Sequence, residues 1–496
     1  MNMIKVGPIL GVESDSRYTV CFSTSKSIEK SVQLNINEKV IDCTQIGETP
    51  SSFVWRAIYE LPISEEEQHC TYQIIINKEP AKCQNGRNEW TFYSPGKHQD
   101  PNFVYTSCNG FSSLDLMHKT QNPYALWEKM LKHHEKNPIS IMLMGGDQLY
   151  GDSIWSSVPA LQKWNKLSHK EKTYSRRVSK TLCEQIDRFY DRLYQERWNN
   201  AAMSMMLASA PSVMMWDDHD IFDGWGSFPA DIQACPVFQQ IYSTAKHYFE
   251  LFQIRSKNNS TLLDKRADHY AFALTFRNYH ILALDNRSER TLDQVMGSKT
   301  QWPLINEYLK TIDDDGHLLV MSGVPVVYRD FSFAESTMEA TPWEEELTDD
   351  LKDHWRSKNH QGERARLIHR LLDNVQRRTQ NSPDCKTVIL SGDVHIGCIG
   401  VIHNQAKNCK IHQVVSSGIV HPAPSRLQWI GIMAVTNDRE EYLDEDRNIH
   451  ISMLTPFASD QYIRNRNYIT LSMGTDKKLW VNWESEGKDA PYYPIQ

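Results

Sequence analysis

Five apolar, strand-like runs in this chain each end on a cluster of metal-binding or phosphate-binding side chains, and no single motif constrains the fold as much. Ile139–Leu143 runs into Gly146-Asp147-Gln148-Leu149-Tyr150, and Ser212–Met215 into Trp216-Asp217-Asp218-His219-Asp220. His280–Leu284 leads to Asp285-Asn286-Arg287-Ser288-Glu289-Arg290, and Thr387–Leu390 to Ser391-Gly392-Asp393-Val394-His395. The fifth run, Ile411–Val415, enters Ser416-Ser417-Gly418-Ile419-Val420-His421. Open α/β sheets bind ligands outside the carboxyl ends of their strands. Carboxylates, a phenol, imidazoles and guanidiniums gathered at such ends predict one metal-dependent phosphate site.

The remaining sequence divides around these runs. Residues 1–98 hold short β-type segments such as Tyr18–Ser23, Val32–Ile36 and Tyr72–Ile76, and Ser51–Leu61 alternates with period two. No helix-period stretch interrupts them, so a small antiparallel β-sandwich is expected there. From 99 to 496 strands alternate with helical stretches, at Asn122–Lys136, Lys172–Met206, Pro236–Phe252, Gln301–Ile312 and Trp343–Gln376. Such alternation predicts a large layered α/β domain with helices covering the sheet. Near the end, Tyr468–Leu471 and Leu479–Trp483 flank Gly474-Thr475-Asp476 and read as a β-hairpin. Asp313-Asp314-Asp315-Gly316 reads as a solvated turn.

Bulk properties exclude several classes. A formal charge of -8 and a pI near 6.2 give no electrostatic basis for nucleic-acid binding. No window approaches the roughly 20 apolar residues of a membrane span. Met1–Pro8 has no charged leader followed by an apolar stretch, so a cytoplasmic location is expected, although leaderless export would leave the same sequence. The ten cysteines contain no Cys-x-x-Cys pair, which argues against a zinc ribbon or a disulfide framework.

The candidate chemistry is uneven in specificity. Asp147 can bridge two ions through its two oxygens, and Tyr150 can reach the same ion as a phenolate suited to iron(III). A polar strand end with a core tyrosine would contain the same residues. Trp216-Asp217-Asp218-His219-Asp220 is more telling, because four consecutive titratable groups after an apolar strand repel one another unless a cation compensates them. Asp218 is the natural ligand, and His219 can contact phosphate or protonate a leaving oxygen. Asp217, and Asp223 just beyond, are further candidates. Asp393-x-His395 on extended backbone would present both side chains on one face. Arg287 and Arg290 carry guanidinium forks that match phosphate oxygens, but either could instead pair with Asp285 to fix the loop. Cys108 is a candidate thiolate or a buried inert thiol, and His421 a candidate pocket residue or a structural one.

In order and in content these motifs resemble the PhoD-like phosphatases, the alkaline phosphatase D branch of the calcineurin-like metallophosphoesterases. The resemblance rests on Ser107-Cys108, Gly146-Asp147-Gln148-Leu149-Tyr150, Trp216-Asp217-Asp218-His219-Asp220, Leu284-Asp285-Asn286-Arg287-Ser288-Glu289-Arg290 and Gly392-Asp393-Val394-His395. It implies a four-layer sheet-sandwich core with helices outside, preceded by an immunoglobulin- or fibronectin-like β-sandwich. It also implies a di- or trinuclear centre of iron(III) with calcium, or of manganese or another divalent ion. Cys108, Asp147, Tyr150, Asp218, Asp393 and His395 would be ligands, with Asp147 bridging. His219 would sit over the phosphoryl group and Arg287 would help to hold it. Asp220 departs from the glutamate usual in the family.

Together these readings predict hydrolysis of a small-molecule phosphate mono- or diester by a metal-bound hydroxide. A catalytically silent relative that acts as a binding module is the alternative.

Overall fold

In the computed structural model, residues 3–27, 31–174, 177–330, 354–487 and 490–496 are described. The fold is a mixed α/β arrangement of several sheets. A ten-stranded sheet carries at its centre β1 (Ile4–Val12), β2 (Phe103–Thr106), β3 (Ile141–Gly145) and β4 (Ser212–Met215). An eight-stranded sheet carries β5 (Tyr279–Ala283), β6 (His317–Met321), β7 (Thr387–Ser391) and β8 (Cys409–Val415). β2, β3 and β4 run parallel in adjacent positions, and so do β5 to β8 in the other sheet. Each parallel group therefore delivers its carboxyl ends to one edge.

Period-two alternation decides which residues face which layer. On β6, Leu319 and Met321 join the core shared with β2–β4, whereas Leu318 and Val320 join a second core with α4 (Gln301–Thr311) and α5 (Gln361–Asn381). Val388 and Leu390 on β7 follow the first pattern and Ile389 the second. Near-continuous apolar runs such as Ile281–Leu284 are the consequence of burial on both faces.

Up to residue 98 the described residues form strands and no helices. Four of these strands, Ile4–Val12, Arg17–Ser25, Ser52–Glu60 and Thr44–Glu48, extend the ten-stranded sheet, since β1 lies parallel to β4 at Gly11 and Ser212. The others form a five-stranded sheet that reaches the α/β part where Tyr72 Oη donates to the Ala208 carbonyl at 2.7 Å.

The helix expected over Lys172–Met206 is broken in two, as α1 (Lys180–Trp198) and α2 (Ala201–Ser209), preceded by a short helix at His169–Tyr174. Asn200 causes the break, because its side chain accepts from Ala202 N and Met203 N and restarts the helix as an N-cap. α3 spans Pro236–Phe252, as its opening proline and apolar spacing predict. Of the stretch expected over Trp343–Gln376, residues 343–353 lie outside the described residues, and α5 continues to Asn381. The terminal hairpin pairs Asn467–Met473 with Leu479–Ser485. No helix among the described residues is long and apolar enough to cross a membrane.

Two histidines are buried in the second sheet, and burial favours their neutral forms. His317 Nδ1 accepts from Lys386 N at 3.0 Å, which ties the start of β6 to the residue before β7. Burial, aided by nearby cations, pushes His317 and the β8 residue His412 down to about 4 from the ordinary 6.5. Because both folded values are depressed, this contribution to stability is intact above pH 6.5 and is lost as the pH falls through 4. The urea midpoint should therefore decline across that window. A His317→Gln/His412→Gln double variant should show a shallower decline, and an equal slope would refute the assignment.

Candidate metal centre

The carboxyl ends of the two parallel groups meet edge to edge. Ser107 Oγ, after β2, lies 2.9 Å from Ser416 Oγ, after β8, and Ile419 N donates to the Ser107 carbonyl at 3.0 Å. Trp216 Nε1, after β4, donates to Asp285 Oδ1, after β5, at 3.1 Å. Gly323, after β6, packs so closely on Asp217 that a Cβ would stand 2.6 Å from its Oδ2, so no larger residue fits there.

At this junction Asp147, Asp217, Asp218 and Asp393 each offer a carboxylate oxygen within 4.8 Å of the others, and Asp147, Asp218 and His219 form an overlapping group with the same spacing. The Cys108 loop joins them through backbone bonds, with Cys108 N donating to Gly146 O at 3.3 Å and Asn109 N to Asp147 O at 2.8 Å. Its thiol lies against Gly392, next to Asp393. Tyr150 Oη is 3.3 Å from His395 Nε2, and the Tyr150 ring stacks on His219 with centroids 4.1 Å apart. His421 stacks on His395 at 3.7 Å. Residues from five separate segments of the chain thus come together.

The backbone that holds them is unusual. Cys108, Asp147, Asp393 and His395 all have positive φ, at 53°, 55°, 68° and 53°. Non-glycine residues rarely adopt this left-handed conformation, and it costs of order 1–3 kcal/mol each. Asp393 and His395 are therefore not on extended backbone as strand spacing suggested. Bends after β7, and not strand alternation, aim their side chains.

Electrostatically the site is a concentration of buried acid. Burial, reinforced by Asp218, Asp217 and Asp220 and opposed by His219, holds Asp147 well above the usual carboxylate range. Burial also raises the Cys108 thiol and the Tyr150 phenol. It pushes His395 down to about 3 and His421 well below the ordinary histidine value. Burial alone would lower His219 too, but the carboxylates of Asp152, Asp218 and Asp147 outweigh it and raise this residue. Asp147 Oδ1 is buried and accepts no hydrogen bond from the described residues, and Asp218 Oδ1 accepts none either, with only the Arg287 guanidinium 3.5 Å away. Buried carboxylate oxygens without hydrogen-bond donors among like charges are strongly unfavourable by themselves, and they suit a cation. The donor set therefore fits metal ions.

Around the acids stands a supporting shell. Arg287 is fully buried; its Nε donates to Asp217, its Nη2 lies 3.5 Å from Asp218 Oδ1, and its Nη1 donates to the Trp225 carbonyl at 3.3 Å. Its fork thus grips the acid cluster. Asp285 pairs with neither guanidinium of its loop among the described residues; it accepts from Arg287 N, Ser288 N and Tyr270 N. Arg290 is buried over Gly226, with Nη2 3.4 Å from His360 Nδ1. Asp220 accepts from Gln148 N, Leu149 N, Asp217 N and Gln253 Nε2, which ties the Asp147 and Asp218 loops together. Asp223 enters through its backbone N–H, which donates to Asp152 Oδ1 at 2.7 Å.

Asp152 is the residue that sequence reading missed. Its Oδ2 lies 2.9 Å from His219 Nδ1. The available signal was a third polar position in Asp147-x-x-Tyr150-x-Asp152, but nothing in the sequence alone brings it to His219.

Known proteins share this architecture. The structure entitled "Structure of PhoD" superposes with a TM-score of 0.61 over 99% of this chain and 88% of its own, at 13% identity. Purple acid phosphatase PPD1 from yellow lupin (Lupinus luteus) seeds gives 0.53 over 99% and 74%, at 10% identity. In sequence, the Saccharomyces cerevisiae protein YGR266W is 28% identical over 427 residues, which cover 73% of this chain; the chain spans 58% of that relative's length. Residues 66–344, more than half of the chain, match the family model for PhoD related phosphatases, and the chain belongs to that family.

Proposed function

We propose that this chain is a metal-dependent phosphoric ester hydrolase acting on a small-molecule phosphate mono- or diester. The observation that carries the reading is the convergence of Asp147, Asp217, Asp218 and Asp393 within 4.8 Å from three separate strand ends. Cations bound there would supply Lewis-acid charge for the phosphoryl oxygens and would activate water at neutral pH. Asp147 and Asp218 both sit in the two groups and would both help to hold the ions, with Asp147 as the bridging ligand in this reading. Asp218 and Asp393 give one side an all-oxygen character suited to calcium. Cys108, Tyr150 and His395 give the other side sulfur, phenolate and imidazole donors suited to iron(III) or another transition ion. The same reading takes residues 99–496 as a catalytic unit with a four-layer core, behind an N-terminal β-sandwich of residues 1–98.

In this reading His219 donates a proton to the leaving oxygen. A carboxylate only accepts, so His219 Nδ1 carries a hydrogen toward Asp152 and Nε2 would be the atom that serves the leaving oxygen. Arg287 acts on the phosphoryl group through Asp217 and Asp218, which it holds in position, and not by direct contact.

The test is purified protein supplied with iron, calcium or manganese, together with a panel of aryl phosphate mono- and diesters. Cleavage of at least one class is expected, and failure with every metal and both classes would refute the reading. Asp152→Asn should lower kcat by about 100-fold, the lower end of general acid–base contributions, with KM little changed. Steady-state kinetics at equal metal loading checks this; an unchanged kcat would remove His219 from the role of proton donor.

A further inference from the structure

We propose that His421 is a further ligand of the metal centre, with Nε2 as its donor atom, on the nitrogen-bearing side beside His395. The inference rests on the metal-dependent reading above.

The ring's hydrogen bonding decides which nitrogen is available. His421 Nδ1 lies 2.9 Å from the Pro422 carbonyl oxygen. A carbonyl only accepts, so Nδ1 carries the hydrogen and the lone pair of the neutral ring resides on Nε2. That nitrogen is buried without a hydrogen-bond partner among the described residues, in a residue only 8% exposed. A buried polar atom left unmatched is destabilising, which a metal bond would offset. An Nδ1–H donated to a backbone carbonyl is also the usual means by which a protein fixes the tautomer of a metal-bound histidine.

The surroundings bring the ring against two of the ligands named above. The ring lies face to face with His395 at 3.7 Å and nearly parallel to Tyr150 at 5.5 Å. His395 Nε2 is itself 3.3 Å from Tyr150 Oη. The backbone is anchored on the thiol-bearing loop, because Val420 N and His421 N both donate to the Cys108 carbonyl, at 3.3 and 3.1 Å. A Cβ at Gly418 would stand 2.6 Å from the His421 carbonyl oxygen, so the Ser416–His421 turn closes this tightly only with glycine there. The segment after β8 therefore has the precision a ligand needs. With His421 included, Cys108, Tyr150, His395 and His421 form a mixed sulfur, oxygen and nitrogen set, distinct from the carboxylate set of Asp147, Asp218 and Asp393. Imidazole and thiolate favour transition metals, and carboxylates favour calcium or magnesium.

The experiment titrates chelator-treated full-length protein with Co2+, followed by visible absorption, and separately with Ca2+, followed by calorimetry. His421→Phe keeps a flat ring for the stack and removes the lone pair, whereas His421→Gln retains a donor for the Pro422 carbonyl. Both variants should keep the wild-type circular dichroism spectrum, bind Co2+ at least about 10-fold more weakly, and show an altered cobalt spectrum with Ca2+ affinity unchanged. Wild-type Co2+ affinity and spectrum in His421→Phe would overturn the proposal. Equal loss of Co2+ and Ca2+ binding in both variants would also overturn it, since it would mark His421 as a general packing residue. Absence of Co2+ binding by the wild type would overturn the metal-dependent reading itself.

Discussion

Asp147→Asn is expected to abolish ester hydrolysis while making the metal-free protein more resistant to heat. The carboxylate is fully enclosed by the fold, has an oxygen with no hydrogen-bond donor among the described residues, and faces Asp217, Asp218 and Asp393 within 4.8 Å. Asparagine has nearly the same shape without the charge. Removing the proposed bridge withdraws several kcal/mol of transition-state stabilisation. At about 1.4 kcal/mol per decade, that amounts to a loss of at least about 1000-fold in kcat. The same change relieves repulsion among buried acids, so the metal-free variant should melt above the metal-free wild type. Calorimetry on chelator-treated samples, paired with kinetics on metal-loaded ones, checks both signs. Opposite effects on activity and stability mark a residue kept for function at a cost to the fold.

The second large effect concerns Arg287. Its guanidinium is fully buried and is held by Asp217, Asp218 and the Trp225 carbonyl. Replacing it with methionine leaves two buried carboxylates without their counter-charge. Breaking a buried ion pair in this way costs about 3–5 kcal/mol, so Arg287→Met should unfold at markedly lower denaturant concentration. Saturating metal should restore part of the loss, since cations can replace the missing charge. A direct phosphate ligand would behave differently, with a raised KM and unchanged stability, and that pattern would refute the supporting role assigned here.

The contrast between the two residues shows what the sequence could and could not reveal. Strands such as Ser212–Met215 and Val32–Ile36 were legible to the residue because apolar content and turn signals coincide at their ends. The membership of the acidic group was legible for the same reason, since strand ends in parallel sheets converge. Aim was not legible. Asp393 and His395 reach the cleft through left-handed backbone, which no spacing rule predicts for these residue types. The partners of Arg287 were not legible either, because the sequence does not say that Asp217 and Asp218 lie within its reach. Asp152 was invisible because its partner lies 67 positions away on another loop. The break at Asn200 went unseen because asparagine is a weak helix breaker until its side chain finds the N–H groups of the next turn.

Anomalous diffraction from crystals of the full chain grown with Mn2+ would test the central claim most directly, since it locates ions without reference to activity. The account predicts at least two peaks in the cleft, one of them shared by Asp147 with Asp218 or Asp393, at coordination distances of about 2.0–2.6 Å. Saturating Mn2+ with no peak beside Asp147, or with peaks only at surface carboxylates such as Asp313–Asp315, would contradict it.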